Sequence, residues 1–308
     1  MTTSGEHDVI YTINDAAERE LAELTAGAGV AMIVALEGYI DAGQAGKLLS
    51  DDLLRASRRL VTFDTDEFID ARSRRPMVTY DDGAYFDLKR HVLAMDVCQD
   101  AQGVPFLLLH GLEPDYRWDR FVTAVLALAE RFGVDLTINV HGIPVAVPHS
   151  RPSKFTTTAT RGDLVEDTDQ WFDRVTLPAA LATVLHVRLG EEGRDAVGIA
   201  VHVPHYLAQM PYFPAALGLA DRIASLTRLE LDTAVLEDEA TKTIDEVASR
   251  VTASAELTQL VASLEGQYDA VEAGRSEASL LISDLDQSAN NLADEVEQFL
   301  AQQRPEQK

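Results

Sequence analysis

The stretch GVAMIVALEGYIDAGQA, residues 29–45, contains the parts of a strand–turn–helix unit. Its first part, residues 29–36, is short, apolar and flanked by glycine, which is typical of a strand buried on both faces of a parallel sheet. Residues 37–44 have the glycines and acids of a tight turn. Leucines at helical spacing over residues 45–58 predict the helix that follows. A buried strand that leads directly into a helix indicates an α/β fold.

The same alternation of strand and helix recurs along the chain. Apolar runs predict further strands at 59–63, 104–110, 134–140 and 196–203, and helical spacing predicts helices at 118–132, 178–188 and 213–225. Such alternation favours a mainly parallel sheet covered on both faces. Asp81-Asp82-Gly83 is a hairpin signal, which adds antiparallel pairing. We therefore predict a three-layer α/β/α domain with a mixed sheet over residues 1–226.

The composition changes after about residue 226. Residues 231–308 contain 17 acidic and 5 basic residues, and proline is absent between Pro214 and Pro305. Apolar residues recur at helical spacing between solvated acidic faces. The pattern predicts that residues 227–308 form an acidic, amphipathic helical extension, folded as a helical hairpin with a last helical stretch over 281–300.

Net charge and cysteine content limit the classes of function. The chain has 308 residues and a net charge of −25, so its surface repels nucleic acid and anionic lipid. Cys98 is the single cysteine, which excludes intrachain disulfides and cysteine-rich metal sites. The polar first residues predict no signal peptide, and no apolar run reaches the length of a membrane helix. We expect a cytoplasmic protein that binds neither nucleic acid nor membrane.

Two segments rich in proline and histidine mark the candidate site. GIPVAVPHSRP, residues 142–152, and HVPHYLAQ, residues 202–209, lie where predicted strands give way to loops. Ligands of α/β sheets bind beyond the carboxyl ends of strands, so these loops and the 37–45 turn are expected at one rim. The candidate pocket residues are Glu37, Asp41, His149, Arg151, His202 and His205.

Each candidate also has a structural interpretation. The 37–45 turn is not a P-loop, because Gln44 stands where lysine is required; Asp41 is either a helix cap or a ligand contact. His202 and His205 have the spacing of a metal-binding pair, but Pro204 prevents the helix that such a pair needs. The alternative is that both are buried, hydrogen-bonded histidines. Arg151 either clamps an anion or pairs with a carboxylate. We predict no metal and no cofactor.

The same segments resemble the proteasome assembly chaperone family of the second-subunit type, in its actinobacterial branch. The resemblance covers roughly residues 9–225. It is carried by EGYIDAGQA at 37–45, HGLEPDYRWDRF at 110–121, GIPVAVPHSRP at 142–152 and HVPHYLAQMPYFPAA at 202–216. It implies a phosphorylase/hydrolase-like fold, self-association with a trimer as the expected oligomer, and proteasome-related or other protein partners. The family offers no agreed catalytic residues to transfer.

Two hypotheses for the function follow. The first is a non-enzymatic oligomer with a protein-binding or assembly role, because the sequence lacks a Gly-x-Ser-x-Gly elbow or another nucleophilic constellation. The alternative is a hydrolase or phosphorylase-like enzyme that acts on a small anionic or nucleoside-like substrate. In that enzyme, a histidine would act as the general acid or base and Arg151 would bind the anion.

Overall fold

The structure, a computed structural model, describes residues 10–165 and 176–274. The chain divides into two compact units, Met1–Arg250 and Val251–Lys308. The strands are β1 (Tyr11–Ile13), β2 (Val30–Glu37), β3 (Ser57–Phe63), β4 (Met77–Asp81), β5 (Ala84–Lys89), β6 (Leu93–Gln99), β7 (Pro105–Leu112), β8 (Val134–Val145), β9 (Phe155–Ala159) and β10 (Asp195–Pro204). The α-helices are α1 (Asp15–Thr25), α2 (Ala45–Leu53), α3 (Thr65–Phe68), α4 (Trp118–Arg131), α5 (Leu181–Glu191), α6 (Phe213–Thr227), α7 (Ala234–Thr252) and α8 (Ala255–Gly274).

Eight strands form one mixed sheet in the order β1-β3-β6-β7-β2-β8-β10-β9. The four neighbours β7, β2, β8 and β10 are parallel. The other pairs, including β10 with the edge strand β9, are antiparallel. The predicted mixed sheet is confirmed, and because β2, β8 and β10 are parallel neighbours, their carboxyl ends lie at the same edge.

Helices cover both faces of the sheet, as predicted. Met32 and Val34 of β2 share a buried cluster with side chains of α1, α4 and α5, whereas Ile33 and Ala35 alternate to the opposite face. On that opposite face, α2 packs against α6, and both helices contact the central strands. Both faces of β2 are therefore buried, which explains its unbroken apolar run.

The predicted hairpin is confirmed at Asp81-Asp82-Gly83. Strands β4 and β5 pair there, and Asp82 and Gly83 have φ values of 44° and 81°. Two positive φ values are typical of the type I′ turn, whose twist matches a two-stranded hairpin. The hairpin forms a separate two-stranded sheet outside the main one.

Some predicted elements differ from those observed. Strands β1, β6 and β9 were not predicted, and β8 continues to Val145, five residues beyond the expected end. Pro178 precedes α5 instead of starting it. Helices α7 and α8 lie in the predicted extension, whereas the last predicted helix at 281–300 falls outside the described residues. The predicted domain boundary after residue 226 stays a prediction. None of the described helices is both long and apolar enough to cross a membrane.

Candidate functional site

Three turns meet at the rim formed by the carboxyl ends of β2, β8 and β10. Gly43 in the turn after β2 donates its backbone N–H to the carbonyl of Ala208, 2.8 Å away, and accepts from Tyr212 N–H at 2.9 Å. The N–H of Gly142 in β8 donates to a carboxylate oxygen of Asp41. The turn after β8 joins them through His149, whose backbone N–H donates to the Tyr206 hydroxyl, so the expected meeting of the three turns is observed in their hydrogen bonds.

Asp41 is the centre of this junction. Its Oδ1 accepts the backbone N–H groups of Gly46 at 2.9 Å and Gly142 at 2.8 Å, and its Oδ2 accepts that of Lys47 at 3.0 Å. Gly46 and Lys47 lie in the first turn of α2, where N–H groups have no partner within the helix. The carboxylate therefore caps α2 and connects it to β8. Of the two roles considered for Asp41, a helix cap or a ligand contact, this is the helix cap.

Gly43 must be glycine for two reasons. Its φ is 66°, and a Cβ added here would lie 2.9 Å from Cβ of Tyr212 and 3.2 Å from a methyl carbon of Val203. The turn after β2 can therefore approach the loop after β10 only without a side chain at this position. This close approach explains the direct bonds between the two turns.

His149 and His205 are brought together by Tyr206. The backbone N–H of His149 donates to the Tyr206 hydroxyl at 3.0 Å, and His149 Nδ1 lies 2.7 Å from the same oxygen. The ring of Tyr206 also makes edge-to-face contacts with both histidine rings, at centroid distances of 6.1 Å and 5.5 Å. His205 is exposed and His149 is half-buried, so this aromatic group forms part of the rim surface.

Glu37 ends β2 at this rim, and Arg151 lies in the loop after β8. Glu37 Oε1 is 3.7 Å from Lys47 Nζ, which also bonds to Asp51 at 2.9 Å. Partial burial lowers the pKa of Lys47, but its hydrogen bond to Asp51 and the Glu37 and Asp51 charges raise it more, so the net shift is upward. The half-buried Arg151 follows His149 by two residues in the loop after β8.

His202 does not join the other candidates at the surface. It is only 3% exposed within β10, and its Nε2 shares a 2.8 Å hydrogen bond with Thr156 Oγ1 of β9. Its backbone N–H donates to the carbonyl of Lys154. The structure therefore places His202 in the sheet, as the structural alternative proposed, and separates it from His205.

A groove of about 390 Å³ lies beside the start of β9. The start of β9, helix α6 and helix α7 line it, mainly through Phe155, Pro214, Leu217 and Ile244. None of the six predicted residues is among its lining residues. The predicted role of these six as ligand-pocket residues stays a prediction.

Three residues of this region were not predicted as candidates. Tyr206 joins two predicted histidines, although it stands directly beside His205 in the sequence. His141 lies beside Gly142 in β8, and burial lowers its pKa despite the opposing charge of Asp41. Glu113 is buried beyond the end of β7, and its Oε1 accepts the first N–H of α5, from Leu181, at 2.5 Å. For His141 and Glu113, the sequence offers one signal, which is their position just beyond the end of a predicted strand.

The region lacks the arrangement of a metal centre. Within residues 10–165 and 176–274, no group of three or more histidine, cysteine or acidic side chains is placed to hold a metal ion. The carboxylate of Asp41 is occupied by three backbone donors. What the rim offers chemically is an exposed histidine–tyrosine surface supported by a rigid junction.

Comparison with known proteins adds a family match. The model of the PAC2 family matches residues 35–251, which include the whole rim and the turns that form it. No functionally curated protein matches the chain significantly.

Several solved structures are similar to this one. A Mycobacterium tuberculosis protein of unknown function is 37% identical, with a TM-score of 0.83 and coverage of 91% of this chain and 95% of that chain. A Corynebacterium glutamicum protein of unknown function is also 37% identical, with a TM-score of 0.80 and coverages of 84% and 97%. A proteasome-assembly chaperone homologue from M. tuberculosis is 24% identical, with a TM-score of 0.69 and coverages of 75% and 100%, a likeness of fold.

Proposed function

The chain belongs to the PAC2 family, and we propose from this membership that it is a non-enzymatic, self-associating protein that binds other proteins in an assembly role. The M. tuberculosis structure described as a proteasome-assembly chaperone homologue supports a proteasome-related partner for this chain as well. With such a partner, a cytoplasmic location is part of the proposal. Because a fold by itself does not fix function, the proposal also needs a surface suited to protein binding.

The β4–β5 hairpin is that surface and is the observation that carries the proposal. Every residue of both strands is exposed, and three aromatic side chains dominate the hairpin: Tyr80 is 63% exposed, Tyr85 75% and Phe86 52%. Tyr80 and Tyr85 pair across the two strands and share one face of the hairpin, whereas Phe86 lies on the other face. At roughly 150–250 Å² for each ring, the tyrosine pair exposes on the order of 300 Å² on one face, a patch size that is often functional. An isolated two-stranded hairpin is marginally stable in water, so a partner that covers it would also stabilise it.

Charge supports a second copy of the chain as one partner of the hairpin. Residues 72–90 contain five basic and three acidic residues, a net charge of +2, whereas the whole chain carries −25. The exposed Arg72, Arg75, Lys89 and Arg90 form no ion pair with any acid of the described residues. Two basic hairpins repel each other, but a basic hairpin and an acidic neighbouring surface attract.

A hairpin that contacts a different surface of the next copy makes a heterologous interface. Such interfaces close into rings when the rotation between copies allows it. A ring of three copies is the oligomer that we propose. It would leave the acidic surfaces outside the interface available to a second protein.

Light scattering coupled to size-exclusion chromatography tests the self-association. The wild-type chain should elute at about three times its mass of 33.7 kDa. Replacing the cross-strand pair Tyr80 and Tyr85 by serine should shift the protein toward the monomer, whereas replacing both by phenylalanine should not. A wild-type chain that is monomeric at every concentration would remove this part of the proposal.

The enzymatic alternative has less support from the rim. Asp41 already accepts three backbone N–H groups and His202 is buried within the sheet, so both have structural roles that compete with contact to a substrate. His149, His205 and Arg151 would have to perform the chemistry together with Glu37. A hydrolase or phosphorylase-like enzyme therefore stays the second hypothesis, and binding of a small anionic or nucleoside-like ligand would favour it.

A further inference from the structure

The edge strand β9 presents unpaired backbone groups along one side. In its antiparallel ladder with β10, the N–H of Thr160 donates to Ala196 O and the N–H of His202 to Lys154 O. Because hydrogen-bonded pairs alternate along such a ladder, the backbone groups of Phe155, Thr157 and Ala159 point away from β10. They make no hydrogen bond to any described residue.

The residues of β9 themselves lack the sequence features that usually protect an edge strand. Residues 155–159 read FTTTA, with no proline, no charged side chain and no register shift against β10. Lysine, proline and bulges are the common means by which natural sheets prevent further strands from pairing. An extended chain can therefore continue the ladder along β9, using three outward-facing residues as its hydrogen-bonding template.

The apolar groove described above lies directly beside the start of this edge. Phe155 belongs to β9, and its ring packs close to Gly218 of α6, where an added Cβ would lie 3.2 Å from the ring. The groove continues from Phe155 between Leu217 and Ile244, and its volume of about 390 Å³ is sufficient for one or two large side chains. Alternate side chains of an added strand would point to this face of the sheet.

Two acidic side chains and one basic side chain lie at the groove: Asp221 and Arg222 line it, and Glu237 is close to Asp221. Partial burial and the neighbouring charge of Glu237 both raise the pKa of Asp221. Helix α7 contains five acidic and two basic residues. A positive charge near Asp221 would therefore be favoured, and a negative one disfavoured.

We propose that β9 and this groove form a docking site for an extended peptide segment of a partner protein, which adds to the sheet as a further strand. The segment would carry a large apolar side chain that fills the groove, flanked by lysine or arginine residues next to Asp221 and Glu237. Main-chain hydrogen bonds would give affinity and the groove would give specificity, as in other cases of strand addition. The inference rests on the proposed protein-binding function and specifies one place and one kind of partner segment for it.

Selection from a phage-displayed library of random dodecapeptides on the purified full chain tests the site. The enriched peptides should alternate apolar residues with lysine or arginine. The most enriched one, made as a fluorescent synthetic peptide, is then titrated with variants by fluorescence anisotropy. Ala159→Pro removes a backbone N–H that points away from β10, so the hydrogen bonds between β9 and β10 keep their donors. Ala159→Ser is its matched control. Ile244→Glu puts a negative charge into the groove, with Ile244→Leu as its control.

We expect Ala159→Pro and Ile244→Glu each to weaken peptide binding at least tenfold and the two controls to bind like the wild type. The exposed Ile244 keeps the test valid if proline at 159 impairs folding. The inference is overturned if no peptide is enriched over an unrelated protein of similar net charge, or if both variants bind as tightly as their controls. It is also overturned if Ala159→Pro only lowers the mass of the oligomer, since a second copy would then occupy the edge. None of these results affects the test of self-association through the hairpin.

Discussion

Replacing Asp41 by alanine separates the structural interpretation of the rim from a ligand-binding one. If the carboxylate mainly joins α2 to β8, the variant should lose stability whether or not any ligand is present. The Asp41→Asn variant keeps one carbonyl oxygen, which can still accept from Gly46 and Gly142 but no longer from Lys47. The expected order of stability is therefore wild type, then Asp41→Asn, then Asp41→Ala.

The size of the effect follows from the three lost hydrogen bonds. Removing a helix cap costs about 1 kcal/mol. Leaving the buried N–H of Gly142 without an acceptor costs about 1–3 kcal/mol more. We expect the alanine variant to lose about 3 kcal/mol and the asparagine variant about 1 kcal/mol. For a unit of this size, 3 kcal/mol corresponds to a fall in Tm of roughly 6–12 °C.

Urea denaturation followed by far-ultraviolet circular dichroism measures these differences at one fixed protein concentration. Replacing the exposed Asp51 by asparagine is the control, since it carries the same loss of charge at the surface of the same helix. If the unfolding free energy of Asp41→Ala lies within about 0.5 kcal/mol of the wild-type value, Asp41 does not hold α2 to β8, because surface substitutions alone produce changes of that size.

Three other predictions concern titration, reactivity and ligands. Burial holds the pKa of His141 below its ordinary value of 6.5, so the unfolded chain binds the proton first as the pH falls. Stability should therefore decrease below about pH 6.5, and His141→Gln should reduce the slope of that decrease in denaturation at several pH values. Burial and the charge of Asp96 raise the pKa of Cys98 to about 12, so an aromatic disulfide reagent should modify this thiol only after the chain unfolds, as absorbance would show. Nucleosides, nucleotides and inorganic phosphate should not raise the Tm in a thermal-shift panel, and a clear shift would favour the enzymatic alternative.

The main features of the sheet could be predicted because they depend on local patterns. The apolar run of β2 and the Asp82-Gly83 turn each indicate their structure within a few residues. Strand β9 could not be predicted in this way, because Thr156, Thr157 and Thr158 form no apolar run. That strand exists because its backbone pairs with β10, about forty residues further along the chain.

The candidate site could be located from the sequence, but the roles of its residues could not. The ends of the predicted strands were sufficient to bring the three turns to one rim. The sequence left two roles for Asp41, a helix cap or a ligand contact. The observed role depends on its hydrogen bond with Gly142, which lies 101 residues away in sequence. His202 and His205 are close in sequence, yet one is held inside the sheet by Thr156 and the other stands exposed beyond Pro204.

Affinity capture of the tagged chain from a gently prepared native lysate, followed by quantitative mass spectrometry, tests the assembly role most directly. We predict that at least one other protein is recovered in an amount comparable to the chain itself, and that a proteasome-related subunit is among the proteins recovered. Recovery of nothing but the chain under several gentle conditions would contradict the proposed function.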